Sequence, residues 1–419
     1  KESIVHPIPK CIPPKSITND LRPLTLTSQL AKVLEGITLD SIFKQVVNQL
    51  DPKQFSMKRK STCHALVFFL HTILAELDRG ENYVRIFFAD FSKGFDLVDH
   101  NVIMRELDFL GVNKYLSRWV GAFLTNRTQM VSISGMLSTS VRPNGGIPQG
   151  TKLAPLLFAI LVNRLVRNWP NRIKYVDDTT IYESIPRCSP SYLPCIANEI
   201  SDFASNRGMR LNPTKCREVI VNFLQFQPSS INGLQLMGSV VKRVSSYKML
   251  GVYVSHDLTW STHIEYVYDK ANKRLHALRL LKRAGVREND LVRIYCALIR
   301  SVLEYASPVW SSLPDYLSNH IESIQKRALR IIFGANHMNY QQALIRSRLE
   351  TLHHRRDTAC INFIKKVRSG KIEPLYSVIS ETNYIEVKHG YNLRSGSVNS
   401  YRHVPNTKRF SEFVTVKYL

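Results

Sequence analysis

The stretch Asn171-Arg-Ile-Lys-Tyr-Val-Asp-Asp-Thr-Thr-Ile-Tyr182 decides how this chain is read. Apolar, aromatic and β-branched residues lead into two consecutive carboxylates, Asp177 and Asp178, and strand formers resume after them. The pattern predicts a β-hairpin with the acid pair at its tip. Adjacent carboxylates repel, and Asp is depleted in strands. A divalent cation is the simplest compensation. The competing reading is a polar two-residue turn without chemistry.

A second stretch weighs against that plainer reading. In Tyr83-Val-Arg-Ile-Phe-Phe-Ala-Asp90-Phe-Ser-Lys-Gly-Phe95-Asp-Leu-Val-Asp99-His100 a hydrophobic run ends in one acid, as a buried strand ends at a site. Two strands that each deliver a carboxylate at one end can hold Mg2+ with few protein ligands and leave room for substrate phosphates. Two such ions suit in-line phosphoryl or nucleotidyl displacement.

Composition narrows the class. The chain has 419 residues, enough for more than one domain, and 44% of them are hydrophobic, enough for a sizeable core. Lys and Arg number 57 against 33 Asp and Glu, a net charge of +24 that suits a polyanion, nucleic acid or a membrane surface. No apolar run approaches the ~20 residues of a membrane span. The seven cysteines are scattered, odd in number and without Cys-x-x-Cys spacing, which argues against structural zinc and for a reducing compartment. A start at Lys1 without a signal-peptide pattern reads as a fragment.

Working outward, the Pro-rich residues 1–26 are expected to be extended around Lys10 and Arg22 rather than one helix. Helices are expected over 28–49, 62–77, 100–110, 114–124, 154–168 and 192–207. A hairpin is expected from strands 128–134 and 137–142, and single strands over 218–223 and 247–255. The glycines of Asn144-Gly-Gly-Ile-Pro-Gln-Gly150 allow close approach of a ligand to backbone. The region to about 370 reads as mainly helical, with Lys273, Arg274, Lys282 and Arg283 in a basic segment suited to backbone phosphates. The tail from about 371, with Arg394, Arg402, Lys408 and Arg409, is polar and expected to be loosely ordered.

Taken in order, these pieces carry a resemblance. The segments are Leu21-Arg-Pro-Leu-Thr-Leu-Thr-Ser-Gln-Leu-Ala-Lys-Val-Leu-Glu35, Ala89-Asp-Phe-Ser-Lys-Gly-Phe-Asp-Leu-Val-Asp-His100 and Gly146-Ile-Pro-Gln-Gly-Thr-Lys-Leu-Ala-Pro-Leu-Leu-Phe158. Then come Lys174-Tyr-Val-Asp-Asp-Thr179, Leu211-Asn-Pro-Thr-Lys215 and Met249-Leu-Gly-Val-Tyr-Val-Ser-His-Asp-Leu-Thr-Trp260. The series resembles reverse transcriptases of non-LTR (LINE-type) retrotransposons, especially the jockey-like group. Leu303-Glu-Tyr-Ala-Ser-Pro-Val-Trp310 and Gln325-Lys-Arg-Ala-Leu-Arg-Ile-Ile-Phe-Gly334 look like the region that follows that family's palm. Gly94 stands where the family more often has Ala, and Tyr-Val-Asp-Asp replaces its commoner Phe/Tyr-Ala-Asp-Asp. Lys152 and Ala154 are further departures, and none removes a catalytic group.

The resemblance implies an α+β right hand: fingers and palm over 1–255, a helical thumb-like region over 256–335 and a basic C-terminal region over 336–419. It implies RNA-directed DNA polymerase activity on an RNA template with a DNA primer and dNTPs. Two Mg2+ ions, with Mn2+ as the alternative, would be held by Asp90, Asp177, Asp178 and the Phe91 carbonyl. Lys10 and Arg22 would neutralise the incoming triphosphate. Phe95 matches a steric gate against a 2′-hydroxyl, and Gln149 and Gly150 line the nucleotide pocket. Lys215 matches a general acid for pyrophosphate, and Leu250 and Gly251 match a primer grip. The family's endonuclease domain would lie upstream in the same polyprotein. The location would be intracellular, and nuclear when acting on target DNA, with no membrane. Two other readings are a decayed relic that only binds nucleic acid and a viral RNA-dependent RNA polymerase. The first sits poorly with intact carboxylates, the second with Tyr-Val-Asp-Asp in place of Gly-Asp-Asp.

Overall fold

The computed structural model describes residues 1–225, 231–334, 338–370, 372–383 and 405–418; Arg394 and Arg402 of the predicted tail lie outside them. The chain opens with β1 (Glu2–Pro9), a one-turn helix α1 (Ile17–Asp20) and β2 (Leu21–Leu26). Helices α2 (Gln29–Val46) and α3 (Thr62–Asp78) follow, then β3 (Asn82–Ala89), α4 (His100–Phe109) and α5 (Lys114–Leu124). Next come β4 (Thr128–Ile133), β5 (Met136–Leu137), α6 (Ala154–Leu161), β6 (Arg172–Tyr175), β7 (Asp178–Pro186), α7 (Leu193–Ser205) and β8 (Arg217–Val221). Short strands β9 (Gln235–Leu236), β10 (Ser239–Val240) and β11 (Lys242–Arg243) lead to the pair β12 (Ser246–Met249) and β13 (Val252–Ser255).

The central sheet has the order β11-β8-β3-β7-β6, and its middle strand β3 is antiparallel to both β7 and β8. Strand periodicity splits the core across it. Val84, Ile86 and Phe88 face α3 and a large apolar cluster, whereas Phe87 and Ala89 face a second cluster that includes α6 and α7. Helix α3 starts at the Ser61 cap, whose hydroxyl accepts from the His64 N–H at 3.3 Å. It is buried on nearly every side, which is why its sequence is apolar all round. A second sheet, β2-β1-β4-β5, stands apart from the first.

The remainder is helical: α8 (Ser261–Arg283), α9 (Glu288–Ile294), a π-turn over Tyr295–Arg300, α10 (Ser301–Leu303) and a 3-10 turn over Ser307–Trp310. Helices α11 (Asp315–Phe333), α12 (Tyr340–Ser347), α13 (Leu352–Arg368), α14 (Glu373–Asn383), α15 (Lys408–Ser411) and α16 (Val414–Lys417) complete it. No helix among the described residues is long and apolar enough to cross a membrane.

Four expectations change, and one helix holds with an unexpected face buried. The predicted strand 247–255 is a hairpin, β12–β13, because Leu250 and Gly251 both take positive φ (45° and 90°), as a type I′ turn requires. The helix predicted to 168 stops at Leu161 because the Lys174 ammonium donates to the Val162 and Asn163 carbonyls at 2.9 and 3.1 Å. The 128–142 hairpin is short: β4 pairs in parallel with β1, and beyond Leu137 Ser138 bonds back to Val131 and Val141 pairs with Gln129 as an isolated bridge. Helix α2 buries Glu35, Thr38, Ile42 and Val46 and leaves Leu30, Val33, Leu34 and Ile37 exposed. The tail is not loose over 405–418. Buried Asp78 accepts from the N–H groups of Asn406 (2.9 Å) and Thr407 (2.7 Å), and Phe410, Phe413 and Val414 are buried.

Candidate active site

Register alone brings the predicted acids together. Ala89 of β3 lies opposite Thr179 of β7, so one step further Asp90 faces Asp178. On the other side Phe88 lies opposite Arg217, after which the pairing shifts: the Asn212 N–H donates to the Asp90 carbonyl at 2.8 Å, and Lys215, in the turn before β8, is near enough to act on the Asp90 carboxyl. The turn joining β6 to β7 is Val176-Asp177, closed by the pair Tyr175–Asp178. Val176 has φ of 57°, a left-handed conformation that a β-branched residue adopts only under constraint, at a cost of ~1–3 kcal/mol. The constraint is visible. Buried Gln54 accepts the Val176 N–H on its Oε1 at 3.2 Å, and residues 53–55 run beside β6 through Lys174 N–H to Lys53 (3.0 Å) and Phe55 N–H to Lys174 (2.8 Å).

The three carboxylates perturb one another. Burial raises the Asp90 carboxyl above its ordinary range; Lys215 opposes this, Asp177 adds to it, and Lys10 and Arg217 oppose it further. Burial also raises Asp177, against a backbone hydrogen bond and Arg22. Asp178 is pushed up to about 6, first by burial and then by Asp177 and Asp90, with Arg22 again opposing. Asp177 and Asp178 are exposed at the turn, and the protein packed around them displaces only part of the bulk water that would stabilise their charge. Cations from three separate segments therefore converge on one acidic floor: Lys10 on the loop after β1, Arg22 on β2, and Lys215 in the turn before β8.

The β2 strand is held against the 146–152 loop. The Thr25 N–H donates to the Gln149 carbonyl at 2.8 Å, and the Lys152 N–H to buried Glu35 at 2.7 Å. Gly150 has φ of 101°, and a Cβ there would lie 2.8 Å from Leu24 Cδ1 and 3.1 Å from the Thr25 carbonyl oxygen. Only glycine permits that approach. The Gln149 side chain donates to Asp96 at 2.9 Å. Half-buried Phe95 packs on Phe158, ring centroids 4.7 Å apart, with its carbonyl accepting from Ile147 N–H at 2.7 Å. Phe91 is buried, and the bridge it forms with Leu211 uses the Asp90 carbonyl (2.8 Å, from Asn212 N–H) and the Ser92 N–H (2.7 Å, to Arg210). The Phe91 carbonyl is left outside that bridge.

The other predicted groups are further out. Leu250 and Gly251 form the turn of the β12–β13 hairpin, and Tyr247 of β12 stacks on Phe88 at 4.1 Å. The α8 cations do not act as one face. Lys273 and Arg283 are exposed, whereas Arg274 donates to the Leu298 carbonyl and Lys282 lies 3.9 Å from Glu288.

The sequence model of the family described as "Reverse transcriptase (RNA-dependent DNA polymerase)" matches residues 10–254. The chain belongs to the reverse transcriptase family. It is 25% identical over 334 residues to the "RNA-directed DNA polymerase from mobile element jockey" of Drosophila melanogaster, covering 75% of this chain and 36% of that protein. It is 24% identical to the jockey polymerase of Drosophila funebris, with 75% and 36% covered. To the "Probable RNA-directed DNA polymerase from transposon BS" of Drosophila melanogaster it is 23% identical, with 76% and 37% covered. The chain thus spans about a third of the length of these curated relatives. Among solved structures it resembles apo telomerase from Candida Tropicalis, at 12% identity and a TM-score of 0.48, over 90% of this chain and 63% of that one.

Reverse transcriptases as a family use divalent metal ions. In this reverse transcriptase no three His, Cys, Asp or Glu side chains among the described residues converge into a ready metal cage. The residues nevertheless fit such ions. Asp90 Oδ2 is buried with no hydrogen-bond partner among the described residues, an atom that is costly to leave so. Two further acids stand beside it, and Mg2+ takes few protein ligands when phosphates complete its shell. Sequence reasoning missed Gln54, Arg217 and Tyr247. Gln54 lies in the polar, basic stretch Asp51-Pro-Lys-Gln-Phe-Ser-Met-Lys-Arg-Lys60, where no local pattern signals the strand it accompanies.

Proposed function

We propose that this chain is the polymerase core of a non-LTR retrotransposon reverse transcriptase, adding dNTPs to a DNA primer on an RNA template. The observation that supports it best is the acidic floor of Asp90, Asp177 and Asp178 ringed by Lys10, Arg22 and Lys215. Residues 1–255 would be fingers and palm, 256–335 a thumb-like region, and 336–419 a basic C-terminal region whose helices α14, α15 and α16 pack on α3.

In this reading Asp90, Asp177 and Asp178, with the Phe91 carbonyl, would hold two Mg2+ or Mn2+ ions. Such ions lower the pKa of an attacking hydroxyl and neutralise charge on the transferring phosphate. Arg22 presents a fork suited to phosphate, and Lys10 a point charge on the adjoining loop. Lys215, in the turn before β8 and near enough to act on the Asp90 charge, can donate a proton to the departing pyrophosphate. The Thr25–Gln149 bond locks β2, and with it Arg22, to the loop carrying Gly150. Phe95, supported from below by Phe158, would lie under the sugar and exclude a 2′-hydroxyl. The Leu250-Gly251 turn would bear on the primer end, and α8 would follow the nucleic-acid backbone. Action on target DNA would place the protein in the nucleus.

Primer extension on an RNA template, with dNTPs and separately with rNTPs, tests this. Extension with dNTPs in the presence of Mg2+ or Mn2+, absent in Asp177→Asn, is expected. Extension with rNTPs in preference to dNTPs would overturn it in favour of an RNA polymerase. Binding of primer–template without extension would favour a relic.

A further inference from the structure

The 303–310 segment follows the matched region, which ends at residue 254, and the proposed reaction has not used it. Its tyrosine reaches back to the β12–β13 turn. Tyr305 Oη lies 2.8 Å from the Leu250 carbonyl and 2.9 Å from Thr62 Oγ1. A carbonyl only accepts, so the tyrosine donates to Leu250 and the Thr62 hydroxyl donates to the tyrosine. The result is a chain of hydroxyls from the first turn of α3, a buried palm helix, to the backbone of the turn. The ring itself lies on Gly251: a Cβ at that position would meet Tyr305 Cε1 at 3.0 Å. Glycine at 251 thus serves two needs, the positive φ of the turn and the close approach of the ring.

The brace is itself fixed. Buried Trp310 donates from Nε1 to the Tyr305 carbonyl at 3.0 Å. Ala306 takes a left-handed φ of 52°, which ends the helical run and aims Tyr305 at the turn. Glu304 is paired with Arg355 of α13 and lies 3.7 Å from Arg300. The segment is tied to helices behind it and touches the proposed primer grip in front.

We propose that Tyr305 is a positioning residue for the primer 3′ end, acting through the Leu250-Gly251 turn, so that accurate nucleotidyl transfer depends on the 303–310 segment. This rests on the polymerase reading above. Without the hydroxyl the turn keeps its shape but loses its tether to α3, and the primer end samples positions that do not react. Misplacement by an ångström is enough to slow a reaction strongly.

The test uses the full chain, with Tyr305→Phe, Thr62→Val and the double variant. Single-turnover extension of an RNA-templated primer is expected to slow about tenfold in Tyr305→Phe. The dNTP KM should be little changed and Tm should stay within about 2 °C of wild type. Thr62→Val should slow less, and the double variant no more than Tyr305→Phe, because both act through one chain of hydrogen bonds. A primer carrying 2-aminopurine at its 3′ end should change fluorescence in the bound, unreacted state. Should Tyr305→Phe melt several degrees lower, Thr62→Val, which keeps the ring, decides between the outcomes. Wild-type extension with equal rates and equal fluorescence in the stably folded variants overturns the brace alone. A wild type that extends no primer overturns the polymerase reading, and the brace with it.

Discussion

The β6–β7 hairpin serves two acidic sites with opposite treatment of charge. Beside β6, buried Asp51 receives Arg172 at 2.7 and 2.8 Å and Lys174 at 2.9 Å. Burial works to raise this carboxyl, but the two cations outweigh it and hold it at about 2. A few residues on, at the turn, the carboxyls of Asp90, Asp177 and Asp178 are each raised, because burial outweighs the cations near them. Lys10, Arg22 and Lys215 oppose that rise electrostatically without reversing it. The contrast teaches where architecture ends and ligand chemistry begins. Charge that the protein neutralises itself holds the fold together; charge left only partly offset, on a strained and over-determined turn, is set out for something else.

The largest effect should come from the turn. Asp177→Asn is expected to reduce primer extension by at least ~10³-fold, since the carboxylate's part in metal-assisted transfer is worth several kcal/mol. Its Tm should hold or rise, because repulsion among the acids falls. Extension at the wild-type rate would remove the distinction between the two sites. Asp51→Ala should do the reverse. It leaves Arg172 and Lys174 buried without their partner, at ~3–5 kcal/mol in urea unfolding. A loss below ~1 kcal/mol would mean that the buried triad is incidental.

Acid separates the buried groups further. His64, His71 and His263 are buried and each held at about 4, by burial first, with Lys366 adding at His64 and Lys248 at His263. An unfolded histidine takes its proton near pH 6.5, so the unfolded chain binds more protons between pH 6.5 and 4. The stability present above pH 6.5 should therefore fall through that window, by up to ~3 kcal/mol per ring. Asp51 contributes only below it, between its ordinary value of 3.8 and about 2. Urea unfolding at pH 7, 5.5 and 4 checks this, and a flat profile would show that the rings find water or partners when charged.

Smaller effects test the rim of the site. Phe95→Val should keep dNTP incorporation within a modest factor and raise the rNTP to dNTP ratio of kcat/KM. An unchanged ratio in a folded variant would leave Phe95 as packing for Phe158. Neutralising Lys273, Arg274, Lys282 and Arg283 together should flatten the slope of log K against log salt by only about 2, not about 4, at ~0.9 per phosphate contact. Arg274 and Lys282 are already engaged within the protein. A change near 4 would show that both let go on binding.

Much of the site was legible because its signals are local. Strand formers that stop at Asp90, an acid pair between strand formers and a glycine before a close approach each follow from short-range backbone chemistry. The antiparallel register then placed Asp90 against Asp178, and the turn before β8 brought Lys215 near Asp90. The single strand predicted over 247–255 failed on one local detail, two consecutive positive φ angles at Leu250 and Gly251. Helix α2 formed where it was expected, but its apolar periodicity did not reveal which face is buried, and Leu30, Val33, Leu34 and Ile37 are exposed.

By itself, then, the sequence determined the family, the strands that end in acid, the turn that carries Asp177 and the excess of positive charge. The strands and the turn depend on residues within a few positions of one another, and the family and the charge on motif order and composition, none of which needs contacts in space. Only the tertiary structure decided which charges are cancelled. Asp51 meets Arg172 across 121 positions, Thr407 meets Asp78 across 329, and Tyr305 meets Leu250 across 55. Such pairings carry no local pattern, because a hydrogen bond or an ion pair depends on distance in space and is indifferent to separation along the chain.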